Sequence, residues 1–437
     1  MDERQGQNRD VLDSSKEKKN FFVGFIKRLG PGVITGASDD DPSAIATFSQ
    51  AGAQFGNGLL WTMLFSYPLK GVIQEISARI GRVTGMGIAG NMVMYYPPWI
   101  GYTLICLMVL SNLINIGADI AAMGAALKLV TGGSSLLYSV LFAMVYLGVQ
   151  VFITYTKYVK ILKWLALALF SYVVTGVIVD VNWPEAFKST VIPRFSTSEN
   201  YLTALIAIFG ATISPYLFFW QASQEIEEVK NTPEDLPLNK APSQAPKQIK
   251  RIRIDTYIGM AFSNIVAFFI ILATSATIFA NNPVELTSAA QAAEALKPLS
   301  GRFAFLLFSA GIIGTGMLAI PILAGSAAYA VGEVMRWPIG LEERPHKAKG
   351  FYGIITIATL VGLALNFTPF NPIQALFWAA VINGIIAAPV MALMMLLASD
   401  RMIMGRFTIS FILRLIGWLS TAAMLAAVLV LFFIWIF

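Results

Sequence analysis

The chain of 437 residues alternates long apolar stretches with short polar ones. Eleven stretches reach about the ~20 residues that a helix needs to cross a bilayer. They lie at about 29–54, 57–80, 97–130, 134–155, 159–180, 199–229, 254–280, 301–335, 350–366, 371–398 and 408–436. Only 13% of the residues are charged, against roughly 25% in soluble globular proteins. The sequence therefore predicts an all-α polytopic membrane protein with eleven transmembrane helices.

The basic residues predict how the chain lies in the membrane. With a cytoplasmic N-terminus, 25 of the 31 Lys and Arg residues lie on the cytoplasmic side, 5 lie on the other side and Lys70 lies within a stretch. Cytoplasmic loops carry such an excess of basic residues. We expect an integral protein of the plasma (inner) membrane with an extracellular C-terminus. Residues 1–28 are polar and predict a disordered cytoplasmic tail.

Several classes of protein are disfavoured by composition. A single cysteine, Cys106, excludes an intrachain disulfide framework, and a single histidine, His346, excludes a multi-histidine metal site. The net charge of +6 comes from basic residues beside apolar stretches, so we expect a lipid bilayer and no nucleic acid as partner. The sequence contains no Walker A motif, so nothing suggests ATP drive.

Three carboxylates and a proline interrupt the first stretch, at Asp39, Asp40, Asp41 and Pro42. Ionisable groups at membrane depth usually have a function. Proline lacks an N–H and disfavours helical geometry in the residue before it, which predicts a helix break near Asp41. A break frees backbone carbonyls beside a carboxylate, a pattern typical of a cation site. Alternatively, Asp41 only caps the second half of the helix.

The sixth stretch contains a second break, at Ser214-Pro215. Paired discontinuous helices at matching places are typical of transporters with inverted repeats of the leucine-transporter type. We therefore predict that helices 1 and 6 are discontinuous and that the repeats have five helices each. The repeats would span 29–180 and 199–398, joined by an extracellular loop at 181–198 and followed by helix 11 within 399–437. The alternative is that each proline only kinks its helix.

Motifs along the chain resemble the NRAMP family of divalent metal transporters. The motifs are Gly30-Pro31-Gly32 leading into Asp41-Pro42-Ser43-Ala44, the run from Gln74 to Gly85, the run from Ala211 to Tyr216, and Asn371-Pro372. The resemblance covers nearly the whole chain. It implies eleven helices around a leucine-transporter core.

The resemblance also implies a set of metal ligands. In the family an Asp, an Asn, a Met sulfur and two backbone carbonyls hold the ion. Here Asp41 and the carbonyls of Ser38 and Ala211 match, but Ala44 replaces the Asn and Ser214 replaces the Met. Without the soft sulfur, the remaining oxygen ligands suit Mg²⁺, Ca²⁺ and Mn²⁺.

Small side chains near the two breaks would leave room for a partly hydrated ion. Mg²⁺ sheds its water reluctantly and binds through one or two carboxylates. The pattern is similar to the NRAMP-related magnesium transporter branch. Asp39 and Asp40 are expected not to bind the ion directly, because successive helical side chains diverge by about 100°. The candidate metal-site residues are Asp41, Ser38, Ala211, Ser214, Ser43, Ala44, Asp40 and Tyr216.

The groups that the family uses for proton transfer are largely replaced. Tyr216 and Gln221 stand at the two family histidine positions, and Asp119 remains on segment three. We expect Asp119 to be a buried group whose carboxylate is hydrogen-bonded by neighbouring helices. The alternative is that it lines a cavity. The prediction is uptake of Mg²⁺, with Mn²⁺ accepted, by alternating access and without proton coupling.

Other charged residues have structural interpretations. Glu75 and Arg79 are spaced as an ordinary i, i+4 helix pair, with Lys70 in reach of Glu75. The acids Glu225, Glu227 and Glu228 suggest a solvated helix end, or else a region that attracts cations at the exit.

Four alternative functions remain open. They are a proton-coupled Mn²⁺/Fe²⁺ symporter of the NRAMP type, an amino-acid or Na⁺ carrier of the same fold, an intramembrane aspartyl protease using Asp41 and Asp119, and a non-transporting receptor. Three Asp residues oppose an amino-acid carboxylate as substrate, and Asp119 lacks the Gly-x-Gly-Asp context of such a protease. We expect a monomeric transporter, not an enzyme, with no resident cofactor.

Overall fold

The computed structural model describes residues 31–152, 167–281, 283–369 and 371–436. This part of the chain is all-helical and contains no β-strand. The predicted tail at 1–28, the start of the first stretch, the end of the fourth stretch and the start of the fifth stretch lie outside the described residues.

The described residues of the first part of the chain form seven α-helices. They are α1 (Pro31–Ser38), α2 (Pro42–Phe55), α3 (Trp61–Thr84), α4 (Ile88–Tyr95), α5 (Pro98–Thr131), α6 (Ser135–Phe152) and α7 (Phe170–Ile178). The rest of the chain continues with α8 (Trp183–Val191), α9 (Glu199–Thr212), α10 (Pro215–Asn231), α11 (Ala245–Thr274), α12 (Ala289–Glu294), α13 (Lys297–Ser300), α14 (Ala304–Met335), α15 (Lys349–Leu365), α16 (Pro372–Ser399), α17 (Arg401–Met404) and α18 (Phe411–Ile436).

Six helical spans of the described chain are long and apolar enough to cross a membrane. They are Pro98–Thr131, Glu199–Asn231, Pro242–Phe279, Ala304–Met335, Pro372–Ser399 and Phe411–Ile434. The predicted all-helical membrane class is confirmed. The number of eleven crossings stays a prediction.

Both predicted helix breaks occur at their prolines. α1 ends at Ser38 and α2 begins at Pro42, with Asp41 in extended geometry as the N-cap of α2. α9 ends at Thr212 and α10 begins at Pro215, again after an extended residue. Proline is tolerated at the first position of a helix because the N–H it lacks would be unbonded there.

The half-helices pack closely on long helices through glycines. A Cβ added at Gly36 would lie 2.2 Å from the carbonyl carbon of Gly259 on α11. One added at Gly210 would lie 2.0 Å from the carbonyl oxygen of Ala380 on α16. The Gly32 amide also donates to Asp255 of α11 at 2.7 Å. Small residues allow membrane helices to approach each other closely, so these contacts fix α1 and α9 beside their neighbours.

Polar side chains join α5 to the helices behind the breaks. The Asn112 side-chain amide donates to the Leu323 carbonyl at 2.9 Å and to the Ser326 hydroxyl at 2.8 Å, both on α14. Ser111 donates to Asn383 of α16 at 2.6 Å. Such bonds between helices stabilise membrane bundles, so they hold α5 against α14 and α16.

The Gly36 contact gives a test of this packing. Gly36→Ala should lower the stability of the protein by about 1–3 kcal/mol, because the new methyl group must displace backbone of α11. The measurement is the thermal unfolding midpoint in detergent. Gly353→Ala on α15 is the matched control, because a Cβ there meets nothing within 4 Å. Equal midpoints for the two variants would contradict the close packing of α1 on α11.

Candidate metal site

One oxygen of Asp41 is used to start α2. Asp41 Oδ1 accepts hydrogen bonds from the Ala44 amide and the Ser43 hydroxyl, both at 2.8 Å. A carboxylate at this position satisfies free amides and interacts favourably with the helix dipole. The alternative interpretation of Asp41 as a cap is therefore correct for this oxygen.

The second oxygen of Asp41 faces the other break. Asp41 Oδ2 accepts a hydrogen bond from the hydroxyl of Tyr216, in the first turn of α10, at 3.1 Å. A carboxylate oxygen can accept more than one such bond. Oδ2 therefore has remaining acceptor capacity between the two broken helices.

Each break also leaves a backbone carbonyl without its helical donor. In a continuous helix, residues 42 and 215 would donate to the carbonyls of Ser38 and Ala211, but both are proline and have no N–H. The Ser214 hydroxyl lies 2.8 Å from the Gly210 carbonyl and 3.2 Å from the Ala211 carbonyl. The Ser38 hydroxyl turns back to the Ile34 carbonyl at 2.8 Å. A carbonyl oxygen has two lone pairs, so the Ala211 carbonyl keeps acceptor capacity beside the Ser214 hydroxyl, and both carbonyls can serve as oxygen ligands.

Asp39 and Asp40 have partners on α11 and α3. The Ser263 hydroxyl lies 2.7 Å from Asp39 Oδ2 and 3.1 Å from Asp40 Oδ1. Lys70 Nζ lies 2.8 Å from the same Asp39 oxygen. Asp40 Oδ2 has no hydrogen-bond partner among the described residues. The interpretation of Lys70 as a partner of Glu75 is wrong, because a spacing of five residues places the two side chains on different faces of α3.

All eight candidate residues are at most 3% exposed. Asp41, Ser43, Ala44 and Tyr216 are connected by hydrogen bonds around one carboxylate. A second group, Ala211 and Ser214, lies at the other break. Ser38 and Asp40 lie at the first break with other partners. Within the described ranges, no three Asp, Glu, His or Cys side chains form a group that could hold a metal ion, so any ion here depends on neutral oxygens as well.

Asp119 is buried but not satisfied. It is 0% exposed on α5, and neither carboxylate oxygen has a hydrogen-bond partner among the described residues. The side-chain nitrogen and oxygen of Asn115, one turn earlier, also have no hydrogen-bond partner among the described residues. The expectation that neighbouring helices satisfy Asp119 is wrong. It lies close enough to Asp41 and Tyr216 to interact with both electrostatically.

The acids near the end of α10 are not a solvated group. Glu225 is 0% exposed and binds Arg251 of α11 at 2.5 Å, and Arg251 also contacts Glu228 at 3.0 Å. Glu227 accepts from the Tyr329 hydroxyl and the Leu341 amide. The interpretation as a solvated helix end is wrong for Glu225 and Glu227, because α10 packs against α3 and α14 and Arg251 of α11 reaches Glu225.

Two polar residues that contact the site, and that sequence patterns did not identify, lie on α11. Ser263 binds Asp39 and Asp40, and Thr256 accepts from Gln221 at 2.8 Å. A serine or threonine in an apolar helix gives no signal of its partner. The predicted pair of Glu75 and Arg79 is confirmed at 2.5 Å, and Arg253 of α11 joins it at 3.3 Å.

Comparison with known proteins gives the family. The model of the family described as "Natural resistance-associated macrophage protein-like", Nramp, matches residues 32–434. The chain belongs to the Nramp family. Members of this family are transporters, so the expectation of a transporter instead of an enzyme is confirmed, and the protease alternative is excluded.

Individual relatives agree with this assignment. The "Divalent metal cation transporter MntH" of Verminephrobacter eiseniae is 25% identical over 97% of this chain and 92% of its own length. The crystal structure of the Eremococcus coleocola manganese transporter matches 94% of this chain and 86% of its own with a TM-score of 0.71 and 17% identity. Mhp1, a nucleobase-cation-symport-1 family transporter, matches 93% and 92% with a TM-score of 0.52 and 14% identity. These likenesses confirm a fold of the leucine-transporter type.

The Tyr216 hydroxyl and a bound cation would compete for Asp41 Oδ2. A hydrogen bond to a charged group contributes about 1.5–3 kcal/mol, so Tyr216→Phe should tighten Mn²⁺ binding by about tenfold or more. Isothermal titration calorimetry in detergent measures the change. Tyr352→Phe, whose hydroxyl instead contacts the carbonyls of Leu341 and Glu343, is the control. An unchanged affinity would mean that the ion binds without displacing the Tyr216 hydroxyl.

Proposed function

We propose that this Nramp protein is an uptake transporter for divalent cations that prefers Mg²⁺ and accepts Mn²⁺. The observation that carries the proposal is the position of Asp41 Oδ2, which faces the second break and has only the Tyr216 hydroxyl as a described partner. The names of the relatives, which are divalent metal and manganese transporters, support the ion class.

The donor set of the two breaks supports a hard ion. Asp41 supplies the charged ligand, and the carbonyls of Ser38 and Ala211 supply neutral oxygens. Ser214 adds a hydroxyl where a thioether would favour softer metals, and the methyl of Ala44 adds no ligand. Carboxylates, carbonyls and hydroxyls suit Mg²⁺ and Mn²⁺.

The small number of protein ligands favours an ion that keeps part of its water. Mg²⁺ requires near-octahedral coordination and commonly retains several waters. Asp40, which precedes Asp41 in the sequence, has one oxygen without a described hydrogen-bond partner. That oxygen would accept a hydrogen bond from a retained water and not bind the ion itself.

A polar cavity supports access from the predicted extracellular side. It has a volume of about 140 Å³ and lies between α2, α9 and α16. Its lining includes Gln50, Gln54, Glu199, Asn200 and Glu285. The carboxylates of Glu199 and Glu285 would raise the local cation concentration there.

At the predicted cytoplasmic end, ion pairs connect α3, α10, α11 and the loop that contains Asp235. Glu225 binds Arg251, Arg82 binds Asp235, and Glu75 binds Arg79 and Arg253. A cavity on one side and paired charges on the other fit a state that is closed toward the cytoplasm. Alternating access would require these pairs to separate.

We infer that uptake is not coupled to protons. Neither Tyr216 nor Gln221 titrates near neutral pH, and Gln221 donates to Thr256. An inside-negative membrane potential contributes ~2.3 kcal/mol per charge per 100 mV, and about twice that for a divalent ion. Proton coupling is therefore not energetically required for uptake.

The proposed arrangement in the membrane has eleven crossings in a monomer. The repeats are placed at 29–180 and 199–398 with opposite orientations, and helix 11 lies within 399–437. The N-terminus is placed in the cytoplasm and the C-terminus outside. The distribution of basic residues and the matching breaks at Pro42 and Pro215 support this arrangement.

Flux through proteoliposomes tests the function. With an inside-negative potential, the parent protein should carry Mg²⁺ and Mn²⁺ inward while a pH dye in the lumen reports no acidification. Asp41→Ala should abolish the flux, because it removes the only charged ligand. Asp180→Ala, which removes an exposed carboxylate elsewhere in the chain, should leave it unchanged.

Two of the alternatives predict different results. Acidification that accompanies cation uptake would favour the proton-coupled symporter. Cation binding without any flux would indicate a receptor. Full flux by Asp41→Ala would remove Asp41 from the mechanism.

The choice of ion can be tested by restoring the family ligands. The double variant with Ala44→Asn and Ser214→Met should raise the ratio of Mn²⁺ to Mg²⁺ uptake by about tenfold, because it adds a soft sulfur. Competition flux in the same proteoliposomes measures the ratio. A control with Ala44→Asn alone adds an oxygen ligand but no sulfur and should keep the parent preference. An unchanged ratio in the first variant would contradict the role of ligand softness.

A further inference from the structure

Lys70 is a charged side chain buried beside the first break. It lies on α3, is 2% exposed, and places Nζ 2.8 Å from Asp39 Oδ2 and 3.1 Å from the Ser263 hydroxyl. A charge at membrane depth is costly unless it is paired. The ammonium group of Lys70 is therefore held at a specific place, within the same group of acids as Asp41.

The surroundings of the ammonium group resemble those of a bound cation. A carboxylate oxygen and a hydroxyl oxygen contact it, and the same hydroxyl contacts Asp40. Hard metal cations bind to oxygens of these types. Arg79 and Arg82, which are also buried on α3, pair with Glu75 and Asp235, away from the break.

We propose that the Lys70 ammonium is a tethered substitute for a co-transported monovalent cation. It occupies an oxygen site at the break, so that the carrier keeps one positive charge there throughout its cycle and needs no second ion from solution. The proposal rests on the proposed function, which is uptake of a divalent ion without coupling.

Substitutions that change the charge at the break should act in opposite directions. Lys70→Met keeps most of the side-chain volume but removes one positive charge, so a divalent ion should bind more tightly. Asp39→Asn removes one negative charge and leaves Lys70 uncompensated, so the ion should bind more weakly. Each shift should be about tenfold or more, because unit charges buried near the break are poorly screened by solvent.

Replacing Lys70 with a smaller side chain should open the site to an ion from solution. Lys70→Ala vacates the space beside Asp39 and Ser263, and we expect Na⁺ or K⁺ to occupy it. The variant should then be more stable thermally in Na⁺ or K⁺ than in N-methyl-D-glucamine, since ligands stabilise the state that binds them. Its divalent flux should depend on the monovalent ion, whereas the parent and Lys70→Met should show neither effect.

A purely structural role predicts different results. If Lys70 only connects α3 to the break, Lys70→Met and Asp39→Asn should both weaken binding and stability, and no monovalent ion should rescue Lys70→Ala. Shifts of the two affinities in the same direction would overturn the proposal. So would identical stability of Lys70→Ala in all three ions, or a requirement of the parent for Na⁺ or K⁺.

The experiment separates this proposal from the proposed function. If the parent carries no divalent ion, the proposed function fails, but the thermal response of Lys70→Ala to Na⁺ and K⁺ still reports whether the site accepts a monovalent cation. If Lys70→Ala is recovered folded only when it is purified in Na⁺ or K⁺, that dependence supports the proposal. If no ion allows it to fold, the sign of the Lys70→Met affinity shift decides the question, since tighter binding supports the proposal and weaker binding overturns it.

Discussion

Two missing N–H groups determine the centre of this structure. Pro42 and Pro215 cannot donate to the carbonyls four residues earlier. Each interrupted helix therefore ends, and a new helix begins at the proline after one residue of extended backbone. Asp41 starts one of the new helices with a single oxygen, which leaves the other oxygen directed to Tyr216 at the second break. The close packing at Gly36 and Gly210 holds both interrupted helices against continuous ones.

The sequence was most informative where the chemistry is local. Proline fixes its own geometry and denies its own hydrogen bond, so both breaks could be placed to within a few residues. The pair of Glu75 and Arg79 follows from helical spacing alone. The capping role of Asp41 was also foreseeable, because Asp bonds to nearby amides.

Partners across the bundle could not be derived in the same way. Lys70 has an acid five residues away in sequence but binds one 31 residues away, because α3 turns its side chain toward α1 and α11. In the sequence Glu225 resembles a surface acid, but in the structure it is paired with Arg251 of α11. Ser263 gave no signal at all. A charged residue inside an apolar stretch indicates that it has a partner of opposite charge. Only the packing of the helices shows which residue that partner is.

The contact between Tyr216 and Asp41 also bears on the step in which the carrier is empty. A transporter must return without its cargo, and a bare carboxylate in a dry interior would oppose that movement. In the proposed cycle the Tyr216 hydroxyl takes the place of the ion on Asp41 Oδ2 and connects the two interrupted helices by a direct bond. The rate of turnover would then depend on how readily this bond forms after release, so one hydroxyl group would govern both the capture of an ion and the recovery of the empty protein.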